Sequence, residues 1–322
     1  VADMNGDGVA EIVGGSSIVQ ADGSGVVTAG VAGSAIGTMY DVNGDGDLEL
    51  IGISGVANHD GSVLWQDTLW TGTGYVAVAD VDLDGDPDIV ATNTTAHQII
   101  VRDGATGTVL AGPIEITPTD DPVIAARVEA IRMASPARDP LTGGGPPTIA
   151  NFDADPEPEI AMAGGYAYVI YENDLTRKWY EITRDTSSRA TGSSVFDFEG
   201  DGVAEVLYND ELLFRAFRGP TGDVYLERCN TSGTLTEYPI VVDVDNDDHA
   251  EIILAENNYA FRTCADGSAS STGVWSFGHP RAQWVRTRRI WNEHAYHVTN
   301  INEDGTVPLH EAPNFSGRGL NN

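Results

Sequence analysis

Helical periodicity is weak along this 322-residue chain, and strands are left to carry the fold. No stretch approaches the roughly 18 consecutive apolar residues of a transmembrane helix, so insertion into a bilayer is not expected. Cysteine is scarce: Cys229 and Cys264 either form one disulfide or stay as two buried thiols, and the sequence leaves both open. Gly-x-Ser-x-Gly, P-loop and dinucleotide fingerprints are missing, so the chain shows none of those signatures of hydrolysis, nucleotide or cofactor chemistry. Bases are few, with 17 Lys and Arg against 49 Asp and Glu and a net charge of −32, which disfavours nucleic acid as a partner. The chain opens at Val1 without a leader and reads as a mature protein or an excised fragment.

What the chain has instead is a nine-residue acidic segment in seven copies. They begin at Asp3, Asp41, Asp80, Asn151, Asp197, Asp243 and Asn300, at intervals of 38, 39, 71, 46, 46 and 57 residues. The copies hold 27 of the 49 acids and no Lys or Arg, which leaves 22 acids against 17 bases elsewhere. Carboxylates packed this closely repel one another unless a cation neutralises them.

Each copy is flanked by apolar residues at fixed offsets. Two before the first acid stand Val1, Met39, Val78, Ile149, Val195, Val241 and Val298, and nine after it Ile12, Leu50, Ile89, Ile160, Val206, Ile252 and Leu309. Every loop therefore joins two short buried strands. Further strands follow between Gly- and Asn-rich turns, including one at Ile99 to Val101 and one at Tyr166 to Tyr171. Four short strands per repeat of this length predict an all-β fold, a seven-bladed β-propeller of four-stranded blades, with residues 1–322 as a single domain. The 71-residue interval reads as one blade with an insertion at about 117–147, whose best helical stretch is Ala125 to Met133. The last blade, in segment 273–322, is short of strands; it either borrows from the N-terminus or continues in a longer chain.

Calcium takes six to eight oxygens in an irregular shell, whereas magnesium demands a strict octahedron. Positions 1, 3, 5 and 9 of each loop offer side-chain oxygens and position 7 a carbonyl. The first copy presents Asp3, Asn5, Asp7, Val9 and Glu11; the second Asp41, Asn43, Asp45, Asp47 and Glu49; the third Asp80, Asp82, Asp84, Asp86 and Asp88. The fourth presents Asn151, Asp153, Asp155, Glu157 and Glu159; the fifth Asp197, Glu199, Asp201, Val203 and Glu205; the sixth Asp243, Asp245, Asp247, His249 and Glu251. Gly at position 6, present in five copies, lets the backbone turn. An EF-hand is excluded, because its position 12 needs Glu and here holds Gly14, Gly52, Ala91, Met162, Tyr208 and Leu254. The copies predict five or six structural Ca²⁺ ions. The seventh, where Pro308 stands in place of the ninth ligand, is the weakest site.

The segments VADMNGDGVAEIVGG, YDVNGDGDLELIGI, VADVDLDGDPDIVATN and PPTIANFDADPEPEIAMAGG resemble the FG-GAP/VCBS family of calcium-binding propeller repeats, known from integrin α-chain heads and bacterial surface proteins. The resemblance implies a seven-bladed propeller with calcium between the first two strands of each blade, in a secreted or cell-surface protein; the tail RRIWNEHAYHVTNINEDGTVP resembles a segment of bacterial secreted multidomain proteins, which implies a bacterial source.

One basic, aromatic-rich stretch remains, with Trp284, Arg286, Arg288, Trp291 and His294. It is a candidate glycan or anion site, since aromatic faces stack on sugars and Arg grips carboxylates; the competing reading is a clamp on the last blade. His294, His297 and Glu293 lack zinc-protease spacing. The expectation is a non-catalytic module for adhesion, for recognition of a glycan or extracellular protein, or for assembly with neighbouring domains or subunits. A secreted enzyme acting on polysaccharide is the alternative.

Overall fold

A computed structural model of the chain describes residues 1–31, 33–134, 141–233, 237–258, 263–264, 272–308 and 311–312. Its strands form six antiparallel meanders in chain order. The first sheet comprises β1 (Ile12–Gly14), β2 (Ser17–Val19) and β3 (Val27–Thr28), and the second β4 (Gly33–Tyr40), β5 (Glu49–Gly52), β6 (Gly55–Ala57) and β7 (Val63–Gln66). The third holds β8 (Gly74–Ala79), β9 (Asp88–Asn93), β10 (Gln98–Asp103) and β11 (Val109–Glu115). The fourth holds β12 (Thr148–Ala150), β13 (Glu159–Ala163), β14 (Ala167–Tyr171) and β15 (Arg177–Ile182). The fifth holds β16 (Ser194–Phe196), β17 (Glu205–Asn209), β18 (Leu213–Phe217) and β19 (Val224–Cys229), and the sixth β20 (Ile240–Val242), β21 (Glu251–Glu256) and β22 (Gly273–Gly278).

The cores lie between sheets. In β9, Ile89 and Ala91 pack toward the second sheet and Val90 toward the fourth. In β14, Ala167, Val169 and Tyr171 face the third sheet while Tyr168 and Ile170 face the fifth. In β17, Val206 and Tyr208 join the fourth sheet's side and Leu207 the sixth's. A strand buried on both faces reads as a continuous apolar run, which is why EIAMA, AYVIY and EVLYN are buried at every residue. Sheets stacked face to face in succession make the fold β-propeller-like.

The expected strand–loop–strand unit is present: the acidic loops connect β4 to β5, β8 to β9, β12 to β13, β16 to β17 and β20 to β21, and the first is closed by the Ala2–Glu11 bridge. Seven blades were expected, and the described residues form six sheets; the copy at Asn300 has no flanking strand among them. Leu309 lies outside the described residues. The 71-residue interval carries the helix α1 (Pro122–Ala134), whose Ile124 and Val128 pack into the core between the third and fourth sheets. Val1 and Ile12, expected inside, are exposed, and so is Val244 at position 2 of the sixth loop. Ile12 belongs to the first sheet and Val244 to the loop of the last; among the described residues each of these two sheets shares a core with one neighbouring sheet. Cys229 and Cys264 are joined as a disulfide. Among the described residues no helix is long and apolar enough to cross a membrane.

Candidate metal centres

The ninth residue of each of the first six loops is buried, from Glu49 at 0% exposure to Glu251 at 8%. One of its carboxylate oxygens accepts the backbone N–H of position 2: Met4, Val42, Val81, Phe152, Phe198 or Val244 donates at 2.5–3.2 Å. Position 2 is held by its own burial in Met4, Val42, Val81, Phe152 and Phe198. The ninth acid is thus turned back under the loop, with its second oxygen facing inward.

The turn itself is equally regular. The position 5 carboxylate accepts the position 7 N–H in all seven copies at 2.8–3.1 Å, from Val9 on Asp7 to Thr306 on Asp304. At position 1, Asp3, Asp41 and Asp197 each accept the N–H of position 6, on Gly8, Gly46 and Gly202. Position 4 is left-handed in all six loops, including the non-glycine residues Leu83, Ala154 and Asn246 at φ 60°, 74° and 64°. Gly8, Gly46, Gly85 and Gly202 are left-handed at position 6 as well. The sequence pointed only to position 6.

These loops fit a hard cation. Glu11 Oε1 and Asp80 Oδ1 are buried and have no hydrogen-bond partner, a costly state for a carboxylate unless a cation completes it. Oxygens of Asp80, Asp82 and Asp88 lie within 4.8 Å of one another, as do those of Asp197, Glu199 and Glu205, of Asp243, Asp245 and Glu251, and of Asp153, Asp155, Glu159 and Glu172. Glu172 lies outside any nine-residue copy, so the pattern did not single it out. In the second loop the Asn43 amide bridges Asp45 and Glu49. Burial pushes the acids of Glu49, Asp88, Glu159 and Glu205 up to about 7 and raises Glu251 too, with neighbouring loop carboxylates adding to the burial effect. Oxygen-only donors and an irregular turn suit calcium better than a transition metal.

The basic stretch is not gathered on one face. Trp284 is buried against Phe198, ring centroids 4.5 Å apart, and donates its indole N–H to Tyr225. Arg288 donates to the carbonyls of Val298 and Ile301. Arg286 pairs with Asp248 at 3.0 Å on the surface, and the rings of His294 and Trp291 lie tilted against Tyr238 and Tyr296. Backbone bonds from Val285 to Phe198 and from Asp243 to Arg288 strap this segment across the fifth and sixth loops. Asn93 and Asn230, each the first residue of an Asn-x-Ser/Thr sequon, are buried, and Asn314, in a third sequon, lies outside the described residues. At the strand ends opposite the loops, a cleft of about 270 Å³ is lined by Thr73, Tyr75, Thr94, Thr142, Ser188 and Arg189 among others; no spacing in the sequence marks it.

No protein-family model matches the sequence, and no curated protein does. Among solved structures, the Vibrio cholerae biofilm matrix protein Bap1 aligns over 99% of this chain and 75% of its own length, at 19% identity and a TM-score of 0.73. The exotype rhamnogalacturonan lyase YesX aligns over 88% of this chain and 52% of its own, at 17% identity and a TM-score of 0.49. An Agrocybe aegerita lectin that recognises non-reducing terminal N-acetylglucosamine aligns over 76% of this chain and 70% of its own, at 12% identity and a TM-score of 0.41. What this chain shares with Bap1 along nearly its whole length is a β-propeller-like fold.

Proposed function

We propose that this chain is a calcium-stapled β-propeller module of a secreted or cell-surface protein, serving adhesion, recognition of a glycan or protein, or matrix assembly rather than catalysis. The observation that carries the calcium reading is the loop geometry: the ninth acid is buried and held by the position 2 N–H in six copies, and Glu11 Oε1 and Asp80 Oδ1 are left buried without a hydrogen-bond partner. Calcium is abundant outside cells, where extracellular sites bind it at roughly 10⁻⁴–10⁻³ M. The likeness to a biofilm matrix protein, together with the disulfide, supports an extracellular setting. In this reading residues 1–322 form one domain whose exposed outer faces, at Ile12 and at Val274, are those a seventh blade covers.

A glycan and matrix-protein array, run in millimolar calcium and again in chelator, tests this. A defined ligand lost in chelator supports recognition. Depolymerisation of an arrayed polysaccharide overturns the non-catalytic reading.

A further inference from the structure

The fourth loop departs from its neighbours in a concerted way. Asn151 replaces the position 1 Asp, and its amide N–H₂ donates to the carbonyl of Asp155. Pro156 takes position 6, where the other complete loops need a left-handed residue; proline's ring forbids that conformation and removes the N–H. Beside this loop sits Lys178, the one lysine among 322 residues. Its ammonium donates to Asp153 and, at 2.9 Å, to Glu172, and lies 3.9 Å from the inward oxygen of Glu159. The lysine side chain is only 12% exposed.

A repeated irregularity delivers it there. In each four-stranded sheet the last strand carries an extra residue near the end of the third strand, at Leu64, Leu110, Lys178 and Tyr225, and in the third sheet a second register shift follows further along. A bulge of this kind re-aims a single side chain. In the second and third sheets that side chain is leucine; in the fourth it is a cation.

We infer that the Lys178 ammonium occupies the cation position of the fourth loop, so that this copy is closed by an internal ion pair instead of calcium. The amine brings a positive charge to the loop and hydrogen-bonds Asp153 and Glu172, while Glu159 Oε1, which has no hydrogen-bond partner, is neutralised by charge alone at 3.9 Å. The inference rests on the calcium reading of the other loops. Equilibrium dialysis of wild type and Lys178→Met counts the ions: the variant takes up one more calcium than wild type. A second readout uses wild type alone. With one lysine, amine acetylation followed by mass spectrometry reports Lys178 apart from the N-terminus, and in millimolar calcium it stays about tenfold slower than in the unfolded chain. Calcium that accelerates the labelling, or an ion in the fourth loop of a calcium-grown crystal, overturns the inference while leaving the proposed function standing. A variant that gains no ion does the same. No calcium on either protein overturns both.

Discussion

The third and fourth sheets are neighbours with the same strand order, the same left-handed position 4 and the same buried ninth acid, yet they balance charge differently. The Asp80–Asp88 loop gathers five aspartates, among the described residues has no basic side chain paired to it, and leaves Asp80 Oδ1 without a partner. The Asn151–Glu159 loop has Lys178 against it. The fifth loop lies between these extremes: Arg218 reaches Glu199 at 3.1 Å and Glu205 at 2.6 Å, but its side chain is 38% exposed and lies over the Tyr225 ring. On the reading proposed above, one backbone frame accommodates an external cation or an internal one, and the side chains beside the loop decide which.

Calcium removal is the widest test of that comparison. At a dissociation constant near 10⁻⁴ M and about 1 mM calcium, each loop that binds adds roughly 1.4 kcal/mol by mass action. Calorimetry in chelator is expected to show melting lowered by about 10 °C. Substitution of single loops narrows it: Asp88→Asn loses one calcium and about 1–3 kcal/mol in calcium buffer, whereas Glu159→Gln costs about the same with the calcium count unchanged. Equal ion losses in both variants would erase the distinction between the two loops.

pH separates metal-free from calcium-loaded protein. In chelator the buried acids at about 7 hold protons that the unfolded chain releases between roughly pH 4.5 and 7. The folded state binds more protons in that window, so metal-free stability falls as pH rises from about 5 to 8. In calcium the trend reverses, because the ion takes the deprotonated form. Chemical denaturation at the two pH values, with and without chelator, reads both signs. Leu110→Lys then attempts to convert the third sheet into the fourth, with one calcium fewer expected by dialysis. The smallest effect belongs to Arg286→Ala: its ion pair with Asp248 is 77% and 76% exposed, so stability changes by less than about 0.5 kcal/mol in a denaturant melt.

The loops were the legible part. Acid spacing and the apolar residue after each ninth acid marked where strands meet acidic loops, and five of the six sheets contain the β-hairpin so predicted. Other features were hidden for physical reasons. Leu83, Ala154 and Asn246 adopt left-handed backbone without being glycine, so composition does not announce the turn at position 4. Trp284 looked like a sugar platform because it sits among arginines, but its ring fills the core beside Phe198. Lys178 lies in a different strand from its loop and arrives through a bulge, which sequence spacing cannot register.

Each core in this molecule belongs to two sheets at once. A chain so built has no private interior, and a sheet that detaches exposes its neighbour's flank as well as its own. Under tension along the chain, such an array is expected to yield one sheet at a time from the ends inward. The disulfide between Cys229 and Cys264 shortens the slack released when the last two sheets give way.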